Sequence, residues 1–592
     1  MPKLARYLIT TADELTWKFD RPVLFLGEWC RLYDRRAVWE AMDNLVAAPF
    51  GIRPGQPEKD LAYVQTLSGQ LLIELSAALN TFHNKNHSPR YWNILLGHWL
   101  QRYTEVCYNR YYTLEKALST YNISSTATFD YANYSLATLD SAGFLPAIKD
   151  DRWNQVFYAR ILKFLGGVEP DSTSIRSKSV QPSDDENNPS PARTLNIKSL
   201  IIGTFNRLSP LLSRRNDAFI VSTYLPKLQE IKLQLMLGQF PQFWRSPLLQ
   251  AMPVDVEMRR RFMLSSEDHS GFERFVRHQL ADIIPVCYLE GYPKLCQQAE
   301  SMPWPAVPKF IFTSNSFDTD EIFKAWLGLK VECGVPYFAG QHGNNYGTYI
   351  GNSNWPELVS SDRFITWGWS NGNCKYIPSF IFKTAGRKPI QAKPDGGLVL
   401  VENGAPDPMT THDVYFKFSK YQEDQFCFVE SLPEAIHEQL RVRLFLNKGD
   451  FRWSEQQRWH VRSPKTRLVS DTPTDPTIWK LYAQSRIVVF SFDSTGVLET
   501  LSLNIPTLCF WPDGLDHLLP EAKPYYEVLK EAGIIVGTPE QAAKHVTLYW
   551  DDMEKWWDGE AVQNARKLFC EQYAKTEKKP LTTLKRLLTA EL

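Results

Sequence analysis

Apolar residues fall along this chain in two rhythms. Short unbroken runs between polar turns mark strands buried on both faces, and spacings of three and four mark amphipathic helices. The first rhythm predicts strands at Tyr7–Thr10, Pro22–Leu26, Lys198–Ile202, Lys309–Thr313, Val335–Phe338, Asp362–Trp367, Leu398–Val401, Arg441–Leu446, Ile487–Phe492 and Thr507–Trp511. The second predicts a helix through Leu61, Val64, Leu67, Leu71, Leu75, Leu79 and Phe82, and another through Tyr91, Ile94, Leu95, Trp99, Tyr103 and Cys107. Phe219–Leu237, Phe272–Ile284 and Thr477–Tyr482 also read as helices, and Ala561–Leu592 as a helical tail. Glu169–Arg193 is rich in Ser, Pro, Asp and Asn, has little to bury, and reads as a disordered surface loop.

The stretch Arg486–Trp511 organises the rest. The run Ile487–Phe492 is interrupted by Asp493, Ser494, Thr495 and Gly496; Val497, Leu498 and Leu501 return at helical spacing, and Pro506 ends the helix before the next strand. This is a βαβ unit with hydroxyls at a helix N-terminus, where backbone N–H groups and the helix dipole favour an anion by ~0.3–1 kcal/mol. Two readings follow: a phosphate-holding turn, or an ordinary serine N-cap.

Other polar residues interrupt the pattern at strand ends, where α/β sheets bind ligands. Glu28 follows the second strand and is a candidate acid, base or acceptor-hydroxyl ligand, or else a partner of Arg31 or Arg35. The strand ending at Phe338 leads into GQHGNNYG, from Gly340 to Gly347. His342 sits there among three glycines, placed to donate to a phosphate or to act as a general base near neutral pH. Gln341, Gly343, Asn344 and Tyr346 complete this loop. Asp318-Thr-Asp320 matches the DxD pattern of metal-dependent sugar transferases. Asp318, three residues before Glu321, also makes a capping box, and this explains the residues without a metal. His98, next to Trp99 in an aromatic helix, reads as structural.

Composition narrows the class. Of 592 residues 43% are hydrophobic, enough for two or three sizeable cores, and the net charge of zero supplies no field to recruit nucleic acid. Nine cysteines without a CxxC pair argue against a zinc ribbon or disulfide framework and fit a reducing compartment. The first residues lack a signal-peptide core, and no run reaches the roughly 18 apolar residues of a membrane span. The expectation is a cytoplasmic protein with at most peripheral contact at the inner membrane face. Trp550, Trp556 and Trp557 would either dock on a membrane or pack against the first domain, and the second is expected.

Together these pieces resemble the GT-B glycosyltransferases, an α/β fold of two Rossmann-like domains facing a cleft with a C-terminal helix crossing back. Four patches are similar to a family of sugar transferases from bacterial O-antigen and capsule loci: YLITTADELTWKFDRPVLFLGEWC, TSNSFDTDEIFKAW, GQHGNNYG with DRFITWGW, and DSTGVLETLSLNIPTLCFW. The resemblance implies an N-terminal acceptor domain over 1–368, a connector over 369–393, a donor-binding domain over 394–555 and return helices over 556–592. It implies transfer of a nonulosonic acid, pseudaminic acid being the leading case, from a CMP-linked donor to a surface glycan acceptor, free or lipid-linked, with no cofactor and no metal. Under the general GT-B pattern Ser494 and Thr495 match the paired-hydroxyl turn that holds the donor phosphate in bacterial CMP-sugar transferases, with Gly496 beside them, and Glu499 matches a carboxylate that often binds the donor ribose. Asn447–Asp450, with Lys448, stands where related CMP-sugar transferases carry a His-Pro pair, which this chain lacks; Arg443 is the cation on that strand. The alternatives are a CDP-alditol phosphotransferase of the teichoic-acid kind and a non-enzymatic polysaccharide binding or export factor.

Overall fold

Three sheets hold the named strands of the described residues, and every pairing within them is parallel. The structure is a computed structural model that describes residues 4–129, 134–175, 212–352, 354–390, 393–404, 408–445, 453–470 and 476–590. Lys198–Ile202, Asn447–Asp450 and the part of Glu169–Arg193 beyond Ile175 lie outside the described residues.

The first sheet has the order β3-β2-β1-β4-β5, from β1 (Arg6–Ile9), β2 (Val23–Phe25), β3 (Asn44–Val46), β4 (Ile123–Phe129) and β5 (Glu169–Ile175). The last of these corrects an expectation: the start of the Ser- and Asp-rich segment is an edge strand, not loop. Between β3 and β4 run α1 (Gln56–His83) and α2 (Pro89–Thr120). Ser88 caps α2 by accepting from the Tyr91 N–H, and Pro89 occupies its first turn, where a missing N–H costs nothing. Trp92, Leu95, Leu96, Trp99 and Tyr103 are all buried because α2 packs against both the first and the second sheet's helices.

The second sheet runs β10-β9-β8-β7-β6, from β6 (Phe219–Val221), β7 (Ile311–Thr313), β8 (Tyr337–Gly340), β9 (Arg363–Thr366) and β10 (Tyr376–Pro378). Its helices include α3 (Lys227–Met236), α4 (Glu321–Glu332) and the short α5 (Pro356–Ser360). Two expectations change here. Phe219–Val221 is a strand, with helix beginning only at Lys227, and the connector after Gly368 supplies an edge strand.

The third sheet has the order β13-β12-β11-β14-β15-β16, from β11 (Gly397–Val401), β12 (Leu440–Arg443), β13 (Arg467–Val469), β14 (Ser485–Phe490), β15 (Thr507–Phe510) and β16 (Ile535–Val536). This is the 3-2-1-4-5-6 order of a doubly wound Rossmann domain, whose strand order reverses between β11 and β14. α6 (Val414–Glu430) follows β11, and α7 (Thr495–Ser502) joins β14 to β15.

The tail then returns. α8 (Glu560–Tyr573) packs on α7; the Lys575 N–H donates to Trp367 O at 2.9 Å; and α9 (Pro580–Thr589) packs on α3 of the second sheet. Gly368, at φ +134°, lets the chain pass: a Cβ there would stand 2.7 Å from Glu571 O. The second and third sheets with this return form the GT-B arrangement, and the N-terminal part holds the first sheet as well. Trp550, Trp556 and Trp557 are buried, but beside the third sheet and not against the first domain: Trp556 packs on His545, and Trp557 donates to Asn504 O. Among the described residues no helix is long and apolar enough to cross a membrane.

Candidate functional site

The crevice outside the C-terminal ends of β11 and β14 is where a doubly wound sheet leaves room for a ligand, because the connections there diverge to opposite faces. A cavity of about 550 Å³ opens at that point. From the third sheet it is lined by Asn403, Phe492, Asp493, Ser494 and Thr495; from the second, by Tyr224, the loop His342–Tyr346, Tyr349, Trp355 and Lys383. Ser494 occupies the N-cap of α7 with extended backbone, yet its side chain makes no cap hydrogen bond. Its hydroxyl is therefore not committed to the helix.

Gly496 serves packing rather than lining: a Cβ there would meet the Phe490 ring at 2.5 Å, so its absence lets α7 press on β14. Glu499, one turn on, is buried and ion-paired with Lys383 Nζ at 3.0 Å. Burial pushes its carboxyl above the ordinary value, against the pull of Lys383. It touches the cavity only through that lysine. Arg443 is buried at the end of β12, where its guanidinium donates to Leu444 O at 2.9 Å, and it does not line the cavity. Lys448 lies outside the described residues.

The glycine-rich loop is held on both sides. Gln341 is buried; its Oε1 accepts from the Trp367 N–H and the Trp369 indole, each at 2.9 Å, and its amide donates to Gly343 O. On the other side the Asn344 N–H donates to Thr495 Oγ1 at 3.0 Å, and the Asn344 amide donates to Asp493 Oδ1 at 2.6 Å. The Tyr349 hydroxyl donates to Asp493 O at 3.0 Å. A Cβ on Gly343 would stand 3.1 Å from Thr495 Oγ1, which marks how closely loop and turn approach. Gly347, at φ +71°, turns the chain under the Trp369 ring, where a Cβ would stand 2.4 Å away.

His342 belongs to two cavities. The second, about 450 Å³, is lined by His98, Gln101, Arg102 and Glu105 of α2, by Phe317, Asp318 and Glu357, and by Thr410–His412 and His517 from the C-terminal half. His342, Tyr349 and Trp355 line both. His342 Nδ1 lies 3.0 Å from the Tyr346 hydroxyl, which donates to Glu357 Oε1 at 2.5 Å. Glu357 Oε2 lies 3.1 Å from His98 Nε2, and Arg102 pairs with Asp318 at 2.6 Å. Burial holds the His342 imidazole below its ordinary pKa, with Glu357 and Asp318 pulling the other way. Burial pushes the Glu357 carboxyl up, but His98 beside it and the Tyr346 hydrogen bond outweigh that and leave it below the usual value. Asp318 is likewise desolvated, and Arg102 and His98 hold it well below the carboxylate range.

The sequence alone reads His98 as structural; the structure puts it in this wall, stacked on Phe317. The capping residue of α4 is Asp320, which accepts from the Phe323 N–H, while Asp318 faces the cavity instead. Among the described residues no group of three or more His, Cys, Asp or Glu side chains could hold a metal ion. Glu28 pairs with Arg31 at 2.6 Å in a single 3-10 turn and lines neither cavity. Ser494, Thr495, His342, Gly343, Asn344 and Tyr346 are thus brought together; Glu28, Gln341, Gly496 and Arg443 stand apart from the lining. Lys383, Tyr224, Asn403, Glu357 and His98 are additions.

Solved structures similar to this chain include the rhamnosyltransferase SpnG complexed with spinosyn aglycone, at 12% identity over 50% of this chain and 77% of that one, with a TM-score of 0.29. The UDP-GlcNAc 2-epimerase of Neisseria meningitidis bound to UDP-GlcNAc matches at 13% identity over 60% of this chain and 98% of that one, TM-score 0.32. MurG of Acinetobacter baumannii matches at 10% identity over 63% and 99%, TM-score 0.31. No curated protein sequence matches. The model of the LIC12162 family transferases matches residues 6–588, and the chain belongs to that family.

Proposed function

We propose that this transferase is a glycosyltransferase that moves a sugar from a nucleotide-linked donor to a saccharide acceptor. The observation that carries the reading is that His342 lines both cavities. The donor's phosphate occupies the cavity at the end of β14, and the acceptor occupies the neighbouring one, whose Trp355, Phe317 and carboxylates suit a sugar's faces and hydroxyls. His342 accepts the acceptor hydroxyl's proton as that oxygen bonds to the anomeric carbon. The bond from that carbon to the phosphate oxygen breaks, and the charge left on the nucleotide meets Lys383, Ser494 and the first N–H groups of α7.

Among the described residues Lys383 is the one lysine or arginine lining the donor cavity. Lys383, the Ser494 hydroxyl and the helix N-terminus are donors for a phosphate. With the resemblance of the four patches, this supports a CMP-linked nonulosonic acid such as pseudaminic acid as the donor. The acceptor is then a capsule or O-antigen glycan. Because the departing charge meets protein donors, the reading requires no metal, and turnover survives chelation.

A thermal-shift comparison of CMP, UMP, GDP and UDP tests the donor class. A ligand at about a hundred times its Kd adds ~2.7 kcal/mol to stability. CMP should raise the melting temperature and Lys383→Met should abolish the rise. A shift with UDP or GDP alone would overturn the CMP assignment.

A further inference from the structure

Tyr346 has one hydrogen to donate, and its direction decides the chemistry of His342. The O–H points to Glu357 Oε1, 2.5 Å away, with both side chains buried. The same phenol oxygen lies 3.0 Å from His342 Nδ1. A hydroxyl that donates to one partner can only accept from the other, so Nδ1 carries the hydrogen of the neutral ring and Nε2 carries the lone pair.

The direction of that donation depends in turn on Glu357 being ionised, since a protonated carboxyl could donate back to the phenol. His98 Nε2 stands 3.1 Å from the other Glu357 oxygen. The His98 ring lies parallel to Phe317 with Nδ1 3.9 Å from Asp318 Oδ1, which Arg102 also holds. Each member therefore fixes the next, from α2 through α5 to the glycine-rich loop.

We infer that Tyr346, Glu357 and His98 are positioning residues that lock His342 in its Nδ1–H tautomer and leave Nε2 as the base. This rests on the reading of His342 as the base and adds to it the atom that acts. The step balances without further reactants. The acceptor O–H proton moves to Nε2, the oxygen's electron pair forms the new bond to carbon, and the phosphate leaves with the pair of the broken bond. The imidazolium keeps its Nδ1–H, and its charge faces the Glu357 carboxylate through the Tyr346 hydroxyl. The proton leaves to solvent after product release.

The test reads the tautomer directly. Two-bond proton–nitrogen spectra of the full chain, labelled with ¹⁵N in its histidine rings, identify the His342 signals as those lost in His342→Gln. We expect a protonated Nδ1 and a bare Nε2 in the ligand-free wild type, and a mixture of tautomers in Tyr346→Phe. The same variant should lower kcat about tenfold or more with KM little changed, because orientation and not binding is lost. A wild-type ring with its hydrogen on Nε2 would overturn the inference, even if Tyr346→Phe failed to fold. So would an unchanged tautomer in a folded Tyr346→Phe. Since the spectrum needs no substrate, an Nδ1–H tautomer in a protein that transfers no sugar would leave the lock standing and reject the function.

Discussion

The Asn344 N–H donates to the Thr495 hydroxyl across 151 residues of chain, so the loop that carries His342 and the turn that opens α7 are joined directly. His342, the proposed base, and the turn proposed to hold phosphate are thereby kept in register by short contacts at the cleft itself, while the returning tail ties the same two sheets from behind.

Ser494 and Thr495 should separate in their effects. Thr495→Val removes the acceptor of the Asn344 N–H and should cost roughly 0.5–1.5 kcal/mol of stability as well as activity. Ser494 makes no cap bond, so Ser494→Ala should leave the melting temperature nearly unchanged while lowering turnover. The double alanine variant should fall by about tenfold or more, within the ~1.5–3 kcal/mol that a hydrogen bond to a charged group supplies. Thermal unfolding alongside steady-state rates checks the split; equal losses in both for Ser494→Ala would contradict it.

Lys383 serves two partners. Lys383→Met removes a cation from the cavity wall and leaves buried Glu499 without its ion pair. We expect turnover to drop by roughly ten- to a hundredfold and stability to fall by ~1–3 kcal/mol. Adding Glu499→Gln should restore the stability but not the rate, which a double-mutant cycle measures.

The pH profile follows from His342. Burial sets its pKa below the ordinary 6.5, and a base must be neutral. The rate should therefore be flat near neutrality and fall with acid through a midpoint below 6.5. His98 and Lys383 push the same way as burial, and Glu357 and Asp318 oppose. A midpoint above pH 7 in kcat/KM would contradict this assignment. His342→Gln should lose about 10²–10⁴ in rate.

Asp413 offers a test of stability against pH. It caps α6, accepting from the Tyr415 and Phe416 N–H groups, and burial raises its pKa from 3.8 to about 6, with Glu28 pushing the same way. The folded protein thus binds a proton that the unfolded chain does not between those values. The stabilisation is complete below pH 3.8 and is lost as pH rises through about 6. Asparagine keeps the capping oxygen without the charge, so Asp413→Asn should be more stable than wild type at pH 8 by up to ~1–3 kcal/mol. That advantage should shrink below about pH 4, as urea denaturation at both pH values would show.

The sequence carried the βαβ unit around β14 because a fully apolar strand, a hydroxyl turn and Pro506 punctuate it without ambiguity. β6 is missed because Tyr224 and Leu225 follow Phe219–Val221 closely, so the apolar positions run on toward α3 and read as one helix. β10 and Lys383 lie in a stretch that reads as connector because scattered Pro, Gly and Asn residues interrupt its apolar runs. His98 was hidden differently: His98, Gln101, Arg102 and Glu105 form a polar stripe on one face of α2, but the aromatic residues between them mask it. Glu357 has no local signal at all, because its role depends on Tyr346 and His98, brought to it by the fold.

The most direct test is a crystal structure of the full chain with CMP. We expect the phosphate within hydrogen-bond distance of Lys383 Nζ and Ser494 Oγ, at the N-terminus of α7. A nucleotide bound elsewhere, with that turn left open to solvent, would contradict the donor site and the mechanism built on it.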